Sequence, residues 1–294
     1  MEAYHRKINL VTCFFKPSNS SSNSDINQII SGPQQADLLA RSFQNFSSLG
    51  TAFFISNEHS DSPFLRNINV PDPDVNKLTL EVIRKFNFFF SKYEFEDPHF
   101  VVCDPDFLLI SPGVEAVFDG SFDIGVTLRP DKRMPYNSGI FFVDNSRINA
   151  GKIFYQLQED LINEKHMDHA SWFCDQLVIS DLLDSKSEYI GGGLYKVNDL
   201  IIKVFDAKKY NFSPNRDHPN LFSVPSGVVL YHFKGRCRTS MKLFFKYFVE
   251  DNSSSRFKIF RYIMQALYAE FLRKKYKRLF VMAKDRIMPS DRKI

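Results

Sequence analysis

The chain has 294 residues, 44% of them hydrophobic, enough for one large α/β domain or two small ones. Its four cysteines, Cys13, Cys103, Cys174 and Cys237, form no CxxC pair and show no zinc-type spacing, which points to buried thiols in a reducing compartment. No apolar run is long enough to span a bilayer and the first residues lack a hydrophobic signal segment, so a cytoplasmic protein, soluble or peripheral on a membrane, is expected.

The net charge of +4 is unevenly placed, with residues 250–294 at +7 and residues 1–249 at −3. A basic end on a slightly acidic body suits an anionic partner surface. The 31 phenylalanines predict a well-filled core and an exposed apolar face.

In chain order, Ile8 to Phe15 reads as a first strand, followed by the polar low-complexity loop 17–25, expected to be mobile. Ala36 to Leu49 reads as a helix stopped by Gly50, and Thr51 to Ser56 as a second strand. This β-α-β order predicts a parallel sheet. Pro71 to Asp74 is a turn that caps a helix over Val75 to Tyr93.

Then comes His99-Phe100-Val101-Val102-Cys103-Asp104-Pro105-Asp106-Phe107-Leu108-Leu109-Ile110, two carboxylates between two apolar runs. In open α/β sheets, ligands bind outside the carboxyl ends of the strands. Close carboxylates repel, and a divalent cation removes the repulsion while carrying a phosphate with it. The plain alternative is a polar turn made by Pro105. The flanking apolar runs and the motifs further along favour the metal.

Val114 to Phe118 reads as a short helix, Phe122 to Leu128 as a strand, and the run after Gly139 as another. Asn137-Ser138-Gly139 before that run lets backbone approach a ligand closely. Ala150 to Asn163 is an amphipathic helix. His166 and His169 have no carboxylate at a metal spacing and read as surface residues. A further helix opens at Trp172 and carries Asp175-Gln176 to Leu183; Gly191 to Gly193 is a turn. Val228 to Phe233 is a last strand, delivering His232 to its end, next to Lys234-Gly235-Arg236-Cys237-Arg238. Cations and a glycine at a strand end suit a diphosphate.

The order of these motifs resembles that of nucleotide-sugar-dependent glycosyltransferases of the GT-A fold, and specifically the retaining family eight group of glycogenin and the bacterial lipopolysaccharide glycosyltransferases. The resemblance runs from Ile8 to Arg238. Asp104-Pro105-Asp106 is similar to that family's DxD, Tyr136-Asn137-Ser138-Gly139-Ile140 to its Asn-small-Gly segment, and Asp175-Gln176 to its Asp-Gln. Tyr210-Asn211 is similar to its Tyr-Asn, and His232 to Arg238 resembles its His-x-x-Gly-x-x-Lys. The chain departs from the pattern in having Arg238 for Lys, no Pro-Trp after it, and Ser138 for Ala or Thr.

The resemblance implies an α/β fold with a GT-A-like, Rossmann-type mixed sheet flanked by helices over residues 1–250; residues 251–294, which interleave apolar and basic side chains, read by themselves as a basic amphipathic helical tail. It implies that Asp104, Asp106 and His232 hold Mn²⁺ or Mg²⁺, with Asp104 also reaching the ribose. Lys234, Gly235 and Arg238 would sit at the diphosphate, and Arg84 would serve as a basic residue for the donor. Thr12, Cys13 and Phe14 would line the nucleoside pocket, and Asn137, Asp175 and Gln176 would face the transferred sugar. Loss of a nucleoside diphosphate pushes negative charge onto the leaving group, which a metal and cationic side chains stabilise. A retaining transfer passes through an oxocarbenium-like state, for which Asp175 or Gln176 is the candidate oxygen.

The expected partners are a nucleotide-sugar donor, a UDP-sugar above all, and a glycan or lipid-linked acceptor. The tail either lies on an anionic membrane or packs on the domain; nucleic-acid binding is a weaker reading. Two rivals remain: a nucleotidyltransferase, although Lys16-Pro17-Ser18 is no phosphate loop, and a catalytically silent module docked through the tail.

Overall fold

The computed structural model describes residues 6–16, 32–129, 135–214 and 224–250. The chain divides into two compact units, Met1–Met241 and Lys242–Ile294. Both the polar loop 17–25 and the tail from 251 onward lie outside the described residues. Among the described residues, no helix is long and apolar enough to cross a membrane.

The first unit is a mixed α/β layer. Its strands are β1 (Ile8–Phe14), β2 (Leu49–Ser56), β3 (Arg66–Asn69), β4 (His99–Cys103), β5 (Phe107–Leu109), β6 (Ile124–Leu128), β7 (Tyr136–Asp144), β8 (Glu188–Gly191), β9 (Leu194–Val197), β10 (Leu200–Asp206) and β11 (Leu230–His232). Nine of them form one sheet in the order β3-β2-β1-β4-β7-β6-β10-β9-β8. Strands β3, β2, β1 and β4 run parallel. Strand β7 is antiparallel to both β4 and β6. The order turns back between β1 and β4, and that reversal opens a crevice at the carboxyl ends of these two strands.

Both faces of the central strands are buried, and their side chains alternate between two cores. Val11, Cys13, Phe100 and Val102 join the core that packs against α2 (Leu78–Lys92) and α3 (Ala150–Leu161). Leu10, Val101 and Cys103 join the core that packs against α1 (Gly32–Phe46). Leu80, Ile83, Phe86 and Phe90 supply the buried face of α2 at helical spacing. Asp74 caps only a 3₁₀ turn, Val75–Lys77, ahead of α2.

One expectation is corrected. Gly50 does not stop α1, which ends at Phe46, where the Ser47 hydroxyl and N–H both donate to the Phe43 carbonyl. Gly50 lies inside β2, and a Cβ there would come within 2.7 Å of the Asn9 side-chain oxygen. The last strand, β11, pairs antiparallel with β5 in a separate two-stranded ribbon, with His232 opposite Phe107. Strands β3, β8, β9 and β10 had no counterpart in the sequence reading. All four cysteines are buried thiols.

Candidate metal and donor site

Three backbone pairings gather three ligand-type side chains at the crevice. Strand β4 ends at Cys103, and the Asp104 N–H donates to the Gly139 carbonyl at 2.9 Å. Asp106 sits in the turn between β4 and β5, where its carbonyl accepts from the Phe233 N–H at 2.8 Å. The β5–β11 ribbon then sets the His232 ring on the Phe107 ring, with centroids 3.9 Å apart. Asp104, Asp106 and His232 each offer one ligand atom, and these atoms lie within 4.8 Å of one another. Such a group can hold a metal ion.

The hydrogen bonds around His232 fix what it offers. Its Nδ1 lies 2.9 Å from the Asn211 side-chain oxygen. The Asn211 amide nitrogen donates to Thr127 Oγ1, whose own hydroxyl donates to the Asn137 carbonyl. Asn211 therefore presents its oxygen to the imidazole, so Nδ1 carries the proton and Nε2 a lone pair. That lone pair faces Asp106 Oδ1 at 3.1 Å. Asp106 is 1% exposed, and its Oδ1 has no hydrogen-bond partner among the described residues.

Two acceptors pointing at each other in a buried site repel unless a cation lies between them. The imidazole–amide pair behind Nε2 is also how metal-bound histidines are oriented. The donor set of two carboxylates and one imidazole therefore fits a divalent ion.

The electrostatics agree. Burial lowers the His232 pKa to about 4, against the pull of Asp106, so the imidazole is neutral at physiological pH. Burial would raise Asp106, but His232 and Arg238 overcome it and hold the carboxyl at about 2. Arg238 reaches the same carboxylate through its Nε, which donates to Asp106 Oδ2 at 2.6 Å. Enclosure, then the charges of Asp106 and Asp175, push Asp104 up to about 8. Its side chain keeps 53% of its exposure, so water screens part of both effects. A group with that many like charges nearby gains most from a cation.

Gly139 makes the cluster possible. A Cβ there would come within 2.8 Å of His232 Cε1 and 3.0 Å of Asp104 Oδ2. Asn137 steadies the same segment by accepting the Gly139 N–H at 2.8 Å.

The chain is similar in fold to a glycosyltransferase involved in the glycosylation of the major capsid of PBCV-1, with a TM-score of 0.50 and 11% identity over 80% of this chain and 99% of that one. The fold is a GT-A glycosyltransferase fold. GlyE of Streptococcus pneumoniae TIGR4 is more distant in shape, at TM-score 0.48 and 12% identity over 92% of this chain and 64% of that one. So is the galactosyltransferase LgtC, at 0.45 and 11% over 77% and 87%. No protein-family model matches the chain, and no curated protein matches its sequence.

Within this GT-A fold the other expected site residues fall into three places. Asp175 and Gln176 open α4 (Cys174–Ser180), next to the cluster: burial raises the Asp175 pKa against a hydrogen bond from the Ser138 hydroxyl, and its charge acts on Asp104. Gln176 accepts from Arg129 at 2.8 Å. Lys234 is lowered to about 8 by burial and then by Arg129, against the pull of Asp104 and Asp106. Gly235, at φ +55°, starts the 3₁₀ turn Gly235–Ser240 that carries Arg238.

At the end of β1, Thr12 is buried with its hydroxyl unpartnered among the described residues. The Cys13 thiol is pushed up by burial and then by Asp104, which places it near the cluster. Phe14 packs where a Gly32 side chain would be.

Arg84 is the residue the structure does not bring to the cluster. It bridges Glu81 on its own helix and Glu159 on α3, at 3.0 and 2.9 Å. Its neighbour Lys85 is the cation felt by Cys13. Which of the two adjacent basic residues before the DxD strand is taken up by Glu81 and Glu159 was not legible from the chain alone.

Sequence reasoning also missed Arg129 and Thr127, which carry no motif of their own. It quoted Asn211 without giving it a task. A cavity of about 620 Å³ lined by Arg6, Ser48, Glu115 and Asp119 contains none of these site residues.

Proposed function

We propose that this chain is a metal-dependent glycosyltransferase that moves a sugar from a nucleotide-sugar, a UDP-sugar by preference, to a glycan or lipid-linked acceptor with retention. The observation that carries the reading is the facing pair of buried acceptors, Asp106 Oδ1 and His232 Nε2, beside Asp104. The GT-A fold makes the same crevice the expected donor site.

Asp104, Asp106 and His232 would hold the ion, Mn²⁺ or Mg²⁺. When bound, it supplies positive charge against the departing diphosphate. Lys234 and Arg238 add to that charge from the chain itself. In the transfer, the bond between the sugar's anomeric carbon and the diphosphate oxygen breaks, a bond to the acceptor oxygen forms, and the acceptor's hydroxyl proton passes to the departing diphosphate. Asp175 and Gln176, at the start of α4, are the polar groups placed to steady the electron-poor sugar.

Residues 1–250 would carry the chemistry in the cytoplasm. The basic tail would bring them to an anionic membrane surface, as its sequence of interleaved apolar and basic residues supports.

The test is donor hydrolysis: incubation with a panel of UDP-sugars and Mn²⁺ should release UDP, and chelation should stop it. Release that continues undiminished in Asp106→Ala overturns the metal assignment. A chain that turns over no donor but binds anionic liposomes tightly is a docking module instead.

A further inference from the structure

Trp172 and Phe173 precede the site residues Asp175 and Gln176, and both aromatics point into solvent, at 64% and 41% exposure. Their rings meet edge to face, with centroids 5.3 Å apart. Phe173 has φ +69° and caps α4, a left-handed conformation that a bulky residue adopts only under constraint. The surrounding backbone supplies that constraint. The Ala170 carbonyl accepts from the N–H groups of Thr79 and Leu80 at 3.1 and 3.2 Å, and the Trp172 N–H donates to His169 at 3.0 Å. Beyond Phe173, its carbonyl accepts from Gln176 and Leu177. Strain held in place at the rim of a site is a mark of function, because nothing in packing repays it.

We propose that Trp172 and Phe173 form the platform on which a hexopyranose ring of the acceptor glycan stacks, an inference that rests on the glycosyltransferase reading. A pyranose has a face of C–H groups and a rim of hydroxyls. It matches an apolar aromatic surface with polar residues beside it in the chain, here Asp168, His169, Ser171 and Asp175. Two rings offer about 300–500 Å² at most. That is well short of the roughly 800 Å² per partner that a stable protein interface buries. Phe173 sits two residues ahead of Asp175 as the cap of the helix that carries it, and Trp172 one residue earlier, which would bring the acceptor against the transferred sugar.

Trp172 is the sole tryptophan of the chain, so its emission reports on the platform alone. The experiment titrates the full chain, in Mn²⁺ and UDP, with methyl glycosides and disaccharides of glucose, galactose, mannose and N-acetylglucosamine up to about 100 mM, which captures millimolar affinities. The expected result is a saturable blue shift with at least one saccharide. Phe173→Leu should weaken that affinity about fivefold, and Phe173→Tyr should restore it, since the ring and not the volume is what stacks. Failure of every saccharide to shift the emission overturns the platform, as does an unchanged affinity in Phe173→Leu. A shift seen only with anionic vesicles, or only on raising the protein concentration, overturns it in favour of a lipid surface or a second copy of this chain. UDP release by the unaltered chain is read in parallel: release without a saccharide response sinks the platform alone. A saccharide response in a chain that neither binds UDP nor hydrolyses any donor sinks the transferase and leaves a sugar-binding site.

Discussion

The His232 imidazole faces Asp106 with one nitrogen and Asn211 with the other, at 3.1 and 2.9 Å. Asn211 thus decides which nitrogen is left for an ion, although it is 21 residues away in sequence. Replacing it with Leu removes the acceptor for Nδ1–H and frees both the tautomer and the ring. Metal affinity should fall about 10- to 100-fold, as for other partners that orient a ligating histidine. Titration of free Mn²⁺ by electron paramagnetic resonance checks this, and affinity within threefold of the parent would count against the orientation argument.

Gly139→Ala should strike the same cluster sterically. The added methyl would sit against His232 Cε1 and Asp104 Oδ2, and the backbone there is fixed by the Asp104–Gly139 and Gly139–Asn137 hydrogen bonds. We expect a folded protein, by circular dichroism, with Mn²⁺ affinity and donor hydrolysis both lowered about tenfold or more.

Arg238 is the permanent cation of Asp106. Without it a buried carboxylate loses a charged hydrogen bond, worth about 1.5–3 kcal/mol and less here because Arg238 is partly exposed. Arg238→Ala should therefore melt at a lower temperature in the metal-free state. Mn²⁺ should narrow the gap, since an ion bound to the native state stabilises it and takes over the compensation of Asp106. Thermal melts of both proteins with and without Mn²⁺ give the comparison, and a gap that does not narrow argues against Asp106 as a ligand.

Tyr155 stands in the core with its ring stacked on Phe90 and packed against Phe86, Phe141 and Phe154. Its hydroxyl is buried without a hydrogen-bond partner among the described residues. Tyr155→Phe removes that unpaired group and should raise stability by about 1–2 kcal/mol in urea unfolding. A loss of stability would show that the hydroxyl has a partner.

Phe173→Asn tests the strain itself. Asn tolerates the left-handed region, and Phe173 is already 41% exposed, so relief of about 1 kcal/mol should outweigh the lost contact. Chemical denaturation should move the midpoint upward with an unchanged slope.

The sequence by itself determined the local parts. Apolar runs of strand length marked β1, β4 and β7, the spacing of Leu38, Leu39, Phe43 and Phe46 marked α1, and Asp104-Pro105-Asp106 after a buried strand marked the crevice. Each is a statement about neighbours in the chain, which periodicity and composition can carry. Arg66–Asn69, Glu188–Gly191 and Leu194–Val197 escaped because four-residue strands are too short to show a period. Only the tertiary structure decided the rest. The side chain of Arg84 chose Glu159, contributed by another helix, over the crevice. The last strand paired with β5 instead of the main sheet, and that pairing is what carries His232 to Asp106. Asn211, Thr127 and Arg129 acquired their tasks from side-chain hydrogen bonds between distant segments, and a hydrogen bond between distant segments leaves no trace in local sequence.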